Sequence, residues 1–397
     1  MKLSKIIAKD NATYEDMAKN CALEPFSSVV VEFLGALSRE ILNDGVYRKY
    51  NDVTSFAFFI RKQNILKLKE SMLDNCLRLG KGLAFHIAPS NVPINFAYSL
   101  VAGLLSGNVN IIKISSKNFE QVDLLCNTIK KLLTKPEYGK MSNYITVVQY
   151  NNEKDITDYF SSICNTRLIW GGDNTINEIR KSPLSPRSTD ITFANRYSLC
   201  LINASAYLSH KDSTKCVADF YNDSYGFDQN ACFSPRLVYW VGSEDDIKNA
   251  RSDFWNRLRE LAKTTYNIED SVATEKQMAT CRTILLNSEV KVETEADNLL
   301  YRCEIKTLHE KIFDTSTAGG FFIEYNSQTL DGLKLIDSKQ IQTLSVLGYD
   351  KTEIANFVTS NGMFGIDRIT DVGKAHEFTL VWDGVNLITA LSRVIVA

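Results

Sequence analysis

Among the nine cysteines of this 397-residue chain, Cys232 stands where a thiol could do chemistry. The stretch YGFDQNACFSPRLVYW, Tyr225 to Trp240, puts it in an Asn-Ala-Cys segment just ahead of a run that reads as a buried strand. A thiol attacks as its thiolate, which needs partial exposure and either positive potential or backbone donors nearby. Gln229, Asn230, Ser234 and Arg236 give it polar company. Cys200 in YSLCLI and Cys126 in DLLCNTI sit on apolar faces instead and read as core. Taken locally, a nucleophile and one more packed thiol are equally good readings of Cys232.

Three other stretches carry polar groups at strand ends. In APSNVP (residues 88–93) two prolines bracket Asn91 just after a strand. Fixed φ angles at Pro89 and Pro93 would hold the Asn91 amide rigidly, where it could donate to a developing oxyanion; an Asn turn capping the next helix is the competing reading. Lys113 ends the strand NIIKI and is followed by Ser115, Ser116 and Lys117 at the expected opening of a helix. Such a place suits a phosphate or ribose, because helix N-termini expose N–H groups and a favourable dipole; helix capping by Ser116 beside a solvated lysine competes. Gly171-Gly172, between a strand and a helix beginning near Asp173, would let a ligand approach the backbone closely, or would simply make a tight turn.

Composition narrows the class. Apolar content of 44%, charged content of 23% and a formal net charge of −2 describe an ordinary globular protein with no bulk attraction to nucleic acid or anionic membrane. The opening MKLSKIIAKDNATYEDMAKN lacks the apolar core of a signal peptide, and INFAYSLVAGLL is too short to span a bilayer. Irregularly spaced cysteines without a secretory signal point to reduced thiols in the cytoplasm. Four scattered histidines, with no CxxC and no HExxH, make a zinc site improbable. Neither GxGxxG nor a P-loop signature is present.

The elements that must position these groups read as α/β. KGLAFHIAP, NVNIIKIS, NYITVVQY and TRLIWGG are apolar strand-like runs, separated by helical stretches of ten residues or more. That alternation predicts a parallel sheet with crossovers, a Rossmann-type cofactor domain over Lys81–Lys181. Residues 1–80 read as largely helical, through YEDMAKNCALE and NILKLKESMLDNCLRLG. A second α/β part carries strands at RYSLCLIN, RLVYWVG and GGFFIEY and a helix at EDDIKNARSDFWNRLRELAKTTY. The expected division is 1–198 for the helical and cofactor-binding part, 199–365 for the catalytic part bearing the cysteine, and 366–397 packing back on the core.

The order of these signals (a Pro-Ser-Asn-Val-Pro turn, SGNVNIIKISS, a strand with a Gly turn, then Gln-Asn-Ala-Cys) resembles the aldehyde dehydrogenase superfamily. Within it the chain is most similar to the acyl-CoA reductase branch typified by the LuxC-type fatty-acid reductases. GIDRITDVGKAHEFTLVWDGVNLI, Gly365 to Ile388, shares that branch's Arg-Ile, Gly and Trp-Asp-Gly positions. The likeness runs from about Lys81 to the end.

The resemblance implies an aldehyde dehydrogenase-like fold, with Cys232 as acyl-accepting nucleophile and Asn91 as oxyanion donor. It places Lys113 at the adenosine ribose and Gly171 and Gly172 near the pyrophosphate. It further implies reduction of an acyl-CoA or acyl-protein thioester to an aldehyde without metal, in a homo-oligomer that works beside an acyltransferase or acyl-protein ligase. Ser116, where NAD-specific relatives place a carboxylate, points to NADPH, with NADH as a second cofactor. The glutamate that activates water in hydrolytic relatives has Phe193 near its place. QIQTLSVLG occupies the region of the Glu-Ile-Phe-Gly-Pro segment, so carboxylate help with the ribose is not expected. An oxidative aldehyde dehydrogenase and an idle scaffold are the alternatives.

Overall fold

The computed structural model describes residues 3–9, 13–90, 92–287 and 289–396. The chain divides into two compact units, Met1–Asn195 with Phe378–Ala397, and Arg196–Glu377. The carboxy-terminal stretch expected as one segment is thus shared, residues 366–377 lying in the second unit and 378–397 in the first.

In the first unit a six-stranded sheet has the order β1-β5-β4-β3-β6-β7. Its strands are β1 (Ser4–Ile7), β3 (Leu83–Ile87), β4 (Val109–Ile114), β5 (Ile145–Gln149), β6 (Thr166–Trp170) and β7 (Thr189–Phe193), while β2 (Leu77–Gly80) pairs separately with the strand Ser392–Ile395. All neighbours are parallel except β1 against β5. β3 and β6 are buried along their whole length and β4 and β5 at all but one position each, which is why their sequences run apolar instead of alternating. Helices α1 (Tyr14–Ala18), α2 (Ser28–Asn43), α3 (Asn51–Phe59) and α4 (Lys62–Met72) precede the crossover helices α5 (Asn95–Leu105), α6 (Glu120–Leu133), α7 (Lys154–Ile163) and α8 (Asp173–Arg180). α6 buries Val122, Leu125, Cys126, Ile129 and Leu132, the stripe of a helix laid on a sheet.

Two expectations for residues 1–80 change. The helix foreseen in YEDMAKNCALE stops at Ala18, and CLRLG is not helical but extended, as β2. Periodicity misread the latter because Leu77 and Leu79 alternate about a two-residue repeat over too few residues to register.

α5 lies close on β4. A Cβ on Gly103 would come within 1.9 Å of Asn110 Oδ1 and 3.0 Å of His86 Nε2. Beneath it His86, fully buried, meets Ser99 Oγ at 2.7 Å and Asn110 Oδ1 at 3.1 Å, and Trp170 Nε1 donates to the same hydroxyl at 3.0 Å. Burial pushes the imidazole down to about 4, so His86 is neutral.

The second unit holds a seven-stranded sheet in the order β10-β11-β12-β9-β8-β13-β14. These are β8 (Tyr197–Asn203), β9 (Pro235–Val241), β10 (Val290–Thr294), β11 (Tyr301–Ile305), β12 (Phe321–Ser327), β13 (Ile341–Leu347) and β14 (Arg368–Asp371), parallel except β10 against β11. Helices α9 (Ala204–Leu208), α10 (Ser213–Asp223) and α11 (Glu244–Thr265) share one core with Cys200, Val238, Trp240 and Phe322; α12 (Asp270–Leu286) and α13 (Lys351–Ser360) join the other through Ala279 and Ile354. Among the described residues no helix is long and apolar enough to cross a membrane.

Candidate active site

Cys232 sits in the connection between α10 and β9. A single 3-10 turn over Tyr225–Phe227 is followed by Asp228 and Gln229, both in the left-handed region at φ +50° and +56°. An aspartate tolerates that conformation, but a glutamine adopts it only rarely and needs support from its surroundings. Gln229 has that support. Its side chain is fully buried, donates to the carbonyls of Pro235 at 2.9 Å and Phe321 at 2.8 Å, and accepts from the N–H groups of Gly320 and Phe321, each at 3.0 Å. The Gly319 N–H also donates to the Asp228 carbonyl at 3.0 Å. Ser198 Oγ then donates to the Cys232 carbonyl at 2.7 Å, and Gln342 Nε2 reaches the Cys232 sulfur at 3.4 Å.

Two guanidiniums bear on this thiol. Arg236 donates to Ser316 Oγ at 3.2 Å and to the Gln229 carbonyl at 3.4 Å, and lies 5.9 Å from the ring centre of Tyr197, itself stacked on Phe313. Burial lowers its pKa, against the pull of Tyr197 and Cys232. Arg368 donates to the carbonyls of Ala375, Lys374 and Glu377 at 2.8, 2.9 and 2.9 Å. Its pKa too falls with burial, while Glu377, Asp223 and Cys232 hold it up. Partly buried positive charge near a half-exposed thiol is the environment in which cysteines react.

The loop before Glu377 is held from the other side by Asp223. Its buried carboxylate accepts from the Gly373 N–H at 2.6 Å, the Ala375 N–H at 3.1 Å and His376 Nδ1 at 3.1 Å. Ala375 packs with Ala231 and Phe233, flanking the cysteine. The Gly365–Glu377 part of the carboxy-terminal signature is therefore part of the Cys232 surroundings.

The other cysteines differ. Cys126, Cys164, Cys200, Cys216 and Cys303 are buried, and burial pushes four of them (126, 164, 200 and 303) up to about 12. Cys21, Cys76 and Cys281 are exposed, and Cys232 alone is intermediate. Among the described residues no group of three or more His, Cys, Asp or Glu side chains is placed to hold a metal ion.

In the first unit, Lys113, Gly171 and Gly172 share the carboxyl edge of one sheet. β4 and β6 flank β3, with Ile87 level with both Lys113 and Ile169. The chain first steps from β3 to β4 and β5, then returns to β6 on the other side of β3. The carboxyl ends of β3 and β6 therefore mark the topological switch point, where open α/β sheets bind ligands.

Lys113 is half-buried, its ammonium 4.9 Å from the Tyr150 ring centre, and burial lowers its pKa against the charge of Glu153. Gly172 is the N-cap of α8 with no side-chain capping bond. A Cβ on Gly171 or Gly172 would meet only the Thr175 or Asn195 side chain, at 3.2 Å.

Ser116 is placed differently from the expectation. It is an exposed bend residue, and α6 opens only at Glu120 with Phe119 as N-cap. The hydroxyl that turns back on the chain is that of Ser115, which accepts from the Lys117 N–H at 3.1 Å. Asn91 lies outside the described residues. Phe193 is buried and stacked on Trp170, ring centres 3.9 Å apart.

Arg368, Gln342 and Asp223 were not singled out in the sequence. The Arg-Ile pair after Gly365 was the one signal for Arg368; nothing local marks the other two.

A family model described as acyl-CoA reductase (LuxC) matches residues 61–394. The long-chain acyl-protein thioester reductase of Vibrio harveyi is 23% identical over 303 residues, covering 75% of this chain and 60% of that one. Its namesake from Aliivibrio fischeri is 29% identical over 187 residues, 46% of this chain and 36% of that one. The matches thus span between 36% and 60% of these relatives' lengths. In structure the chain is similar to an NAD-dependent benzaldehyde dehydrogenase from Corynebacterium glutamicum, with TM-score 0.62 and 12% identity over 99% of this chain and 94% of that one. The fold is that of an aldehyde dehydrogenase.

Proposed function

The chain belongs to the acyl-CoA reductase (LuxC) family, and from that premise we propose that it reduces an acyl thioester, carried on coenzyme A or on a protein thiol, to the aldehyde. The observation that carries this reading is the position of Cys232, half-exposed in an over-determined loop with Arg236 and Arg368 bearing on its charge. Its thiolate attacks the thioester carbon, forming a new C–S bond and a tetrahedral oxyanion. Collapse expels the donor thiolate and leaves an acyl group on Cys232. Hydride addition at the same carbon and loss of the Cys232 thiolate release the aldehyde. Asn91 is the proposed oxyanion donor on its place in the sequence.

A reduced nicotinamide cofactor, when bound, supplies the hydride. The uncapped start of α8, the bare Gly171-Gly172 backbone and the half-buried Lys113 fit an anionic dinucleotide. Lys113, Ser116 and Lys117 favour NADPH, with NADH as a second donor. Phe193 offers no acid–base group for activating water, so the acyl group should pass to hydride or to another thiol. That disfavours an oxidative, hydrolytic aldehyde dehydrogenase.

Purified protein given an acyl-CoA and NADPH should consume the cofactor and release aldehyde in equal amounts. No consumption with any acyl donor, on coenzyme A or on protein, would contradict the reading and leave an idle scaffold for an acyltransferase or ligase.

A further inference from the structure

We propose that Lys276, on the middle of α12, is the positioning residue that sets the conformation of the Cys232 loop, acting through the Gly319-Gly320 turn and Gln229. The inference rests on Cys232 being the reactive thiol.

Lys276 is fully buried. Its ammonium donates to the carbonyls of Asn298 at 2.6 Å, Leu299 at 3.4 Å and Gly319. Three carbonyls match the three donors of an ammonium and nothing else the side chain could offer. The Tyr301 ring centre lies 5.3 Å away. Burial pushes the group down to about 7, against the favourable charge of Asp297. The three carbonyls belong to Asn298, Leu299 and Gly319, outside α12 and outside the strands β11 and β12. What the ammonium does is gather three carbonyls of two separate connections.

One of those connections is the turn that frames the nucleophile loop. Gly319 and Gly320 have φ of +71° and +87°, and a Cβ on either would collide, with Val272 at 2.4 Å or with Tyr225 and Leu299 at 2.3 and 2.4 Å. With the Gly319 carbonyl turned toward Lys276, the N–H groups of Gly319, Gly320 and Phe321 all point at the cysteine loop. They are the donors to the Asp228 carbonyl and to Gln229 Oε1. The other connection, at Leu299, accepts from the Tyr225 hydroxyl at 2.9 Å, at the start of the same loop. Lys276 therefore holds both ends of the bed on which Asp228 and Gln229 are held left-handed, four and three residues before Cys232.

The test is the alkylation rate of Cys232 by iodoacetamide at pH 7, resolved by peptide mass mapping, with exposed Cys21 in the other unit as internal reference. Lys276→Met should lower the Cys232 rate at least about tenfold relative to Cys21. Ala279→Gly, which weakens the same helix at a buried site without touching the carbonyls, should leave the ratio within about twofold. An unchanged ratio in Lys276→Met, or an equal fall in both variants, would overturn the proposal. Should Lys276→Met fail to fold, hydrogen exchange in the wild-type protein decides. The Gly320 and Phe321 amides should exchange as slowly as that of Ile323 inside β12; exchange a hundredfold faster would show a turn that frames nothing. None of these readouts uses an acyl substrate. A protein that makes no aldehyde can therefore still show them, and a true reductase can fail them.

Discussion

The Cys232 loop and the carboxyl edge of β3, β4 and β6 meet opposite demands. Around Cys232 the main anchors are side chains that reach partners distant in sequence: Gln229 binds β12 some ninety residues on, and Asp223 binds Gly373 and Ala375 about 150 residues on. Backbone strain at Asp228 and Gln229 is tolerated because buried hydrogen bonds over-determine it. At the edge carrying Lys113, Gly171 and Gly172 the side chains do little; α8 and α6 both open without a capping hydroxyl or carboxylate. A reacting atom has to be held in one place, so its loop is built from buried side chains. A polyanion bound by backbone and dipole asks only for bare chain ends and a cation.

Breaking the cysteine loop should therefore cost far more than disturbing the edge. Gln229→Ala strands two carbonyls and two N–H groups, and at about 1–3 kcal/mol for a buried group left unpaired the loss is on the order of 4 kcal/mol or more. Thermal unfolding should show it, and thioester reduction should fall by at least about a hundredfold; a variant as stable and active as wild type would remove the basis of the comparison.

Next in size is a change in the first unit's packing. Gly103→Ala pushes a methyl into Asn110 and His86, and overpacking of this kind costs about 1–3 kcal/mol, measurable as a lowered denaturation midpoint.

The His86 network adds a pH dependence. With its folded pKa near 4 and an unfolded value near 6.5, the unfolded chain binds more protons between those limits. Stability should thus fall as pH drops below about 6.5, by about 2 kcal/mol at pH 5, and His86→Gln should remove that increment. A denaturation profile unchanged by the substitution would place the acid sensitivity elsewhere.

The smallest effect belongs to the edge. Ser116→Glu should flatten or reverse a preference for NADPH over NADH by up to about fivefold, the worth of an exposed ion pair. Equal catalytic efficiency with both cofactors in the wild-type protein would contradict the preference itself.

The same contrast explains what could be read in the sequence. β3, β4, β5 and β6 were legible because burial on both faces leaves an apolar run, and Lys113, Gly171 and Gly172 because each sits at the end of one. Cys232 was visible through its polar neighbours. Gln229 was noted only as one of those neighbours; that its amide clamps the loop depends on Phe321, which local sequence cannot supply. Lys276 reads in EKQMATCR as an ordinary surface lysine, and only the fold buries it. β13 escaped notice, although QIQTLSVLG forms it, because Gln342 and Thr343 break the apolar run and are themselves buried against Cys232 and Ser198. Ser116 was misplaced by three residues as the helix cap, because Phe119, an unusual N-cap, gives no start signal.

The central claim, an acyl group carried by Cys232, is tested most directly by intact-protein mass after incubation with a panel of acyl-CoAs without reductant. The wild-type protein should gain one acyl mass, mapped to the peptide containing Cys232, and lose it when NADPH is added. Cys232→Ala, folded and melting as wild type, should gain none. Acyl mass on the alanine variant, or on a peptide bearing another of the nine cysteines, would contradict the account.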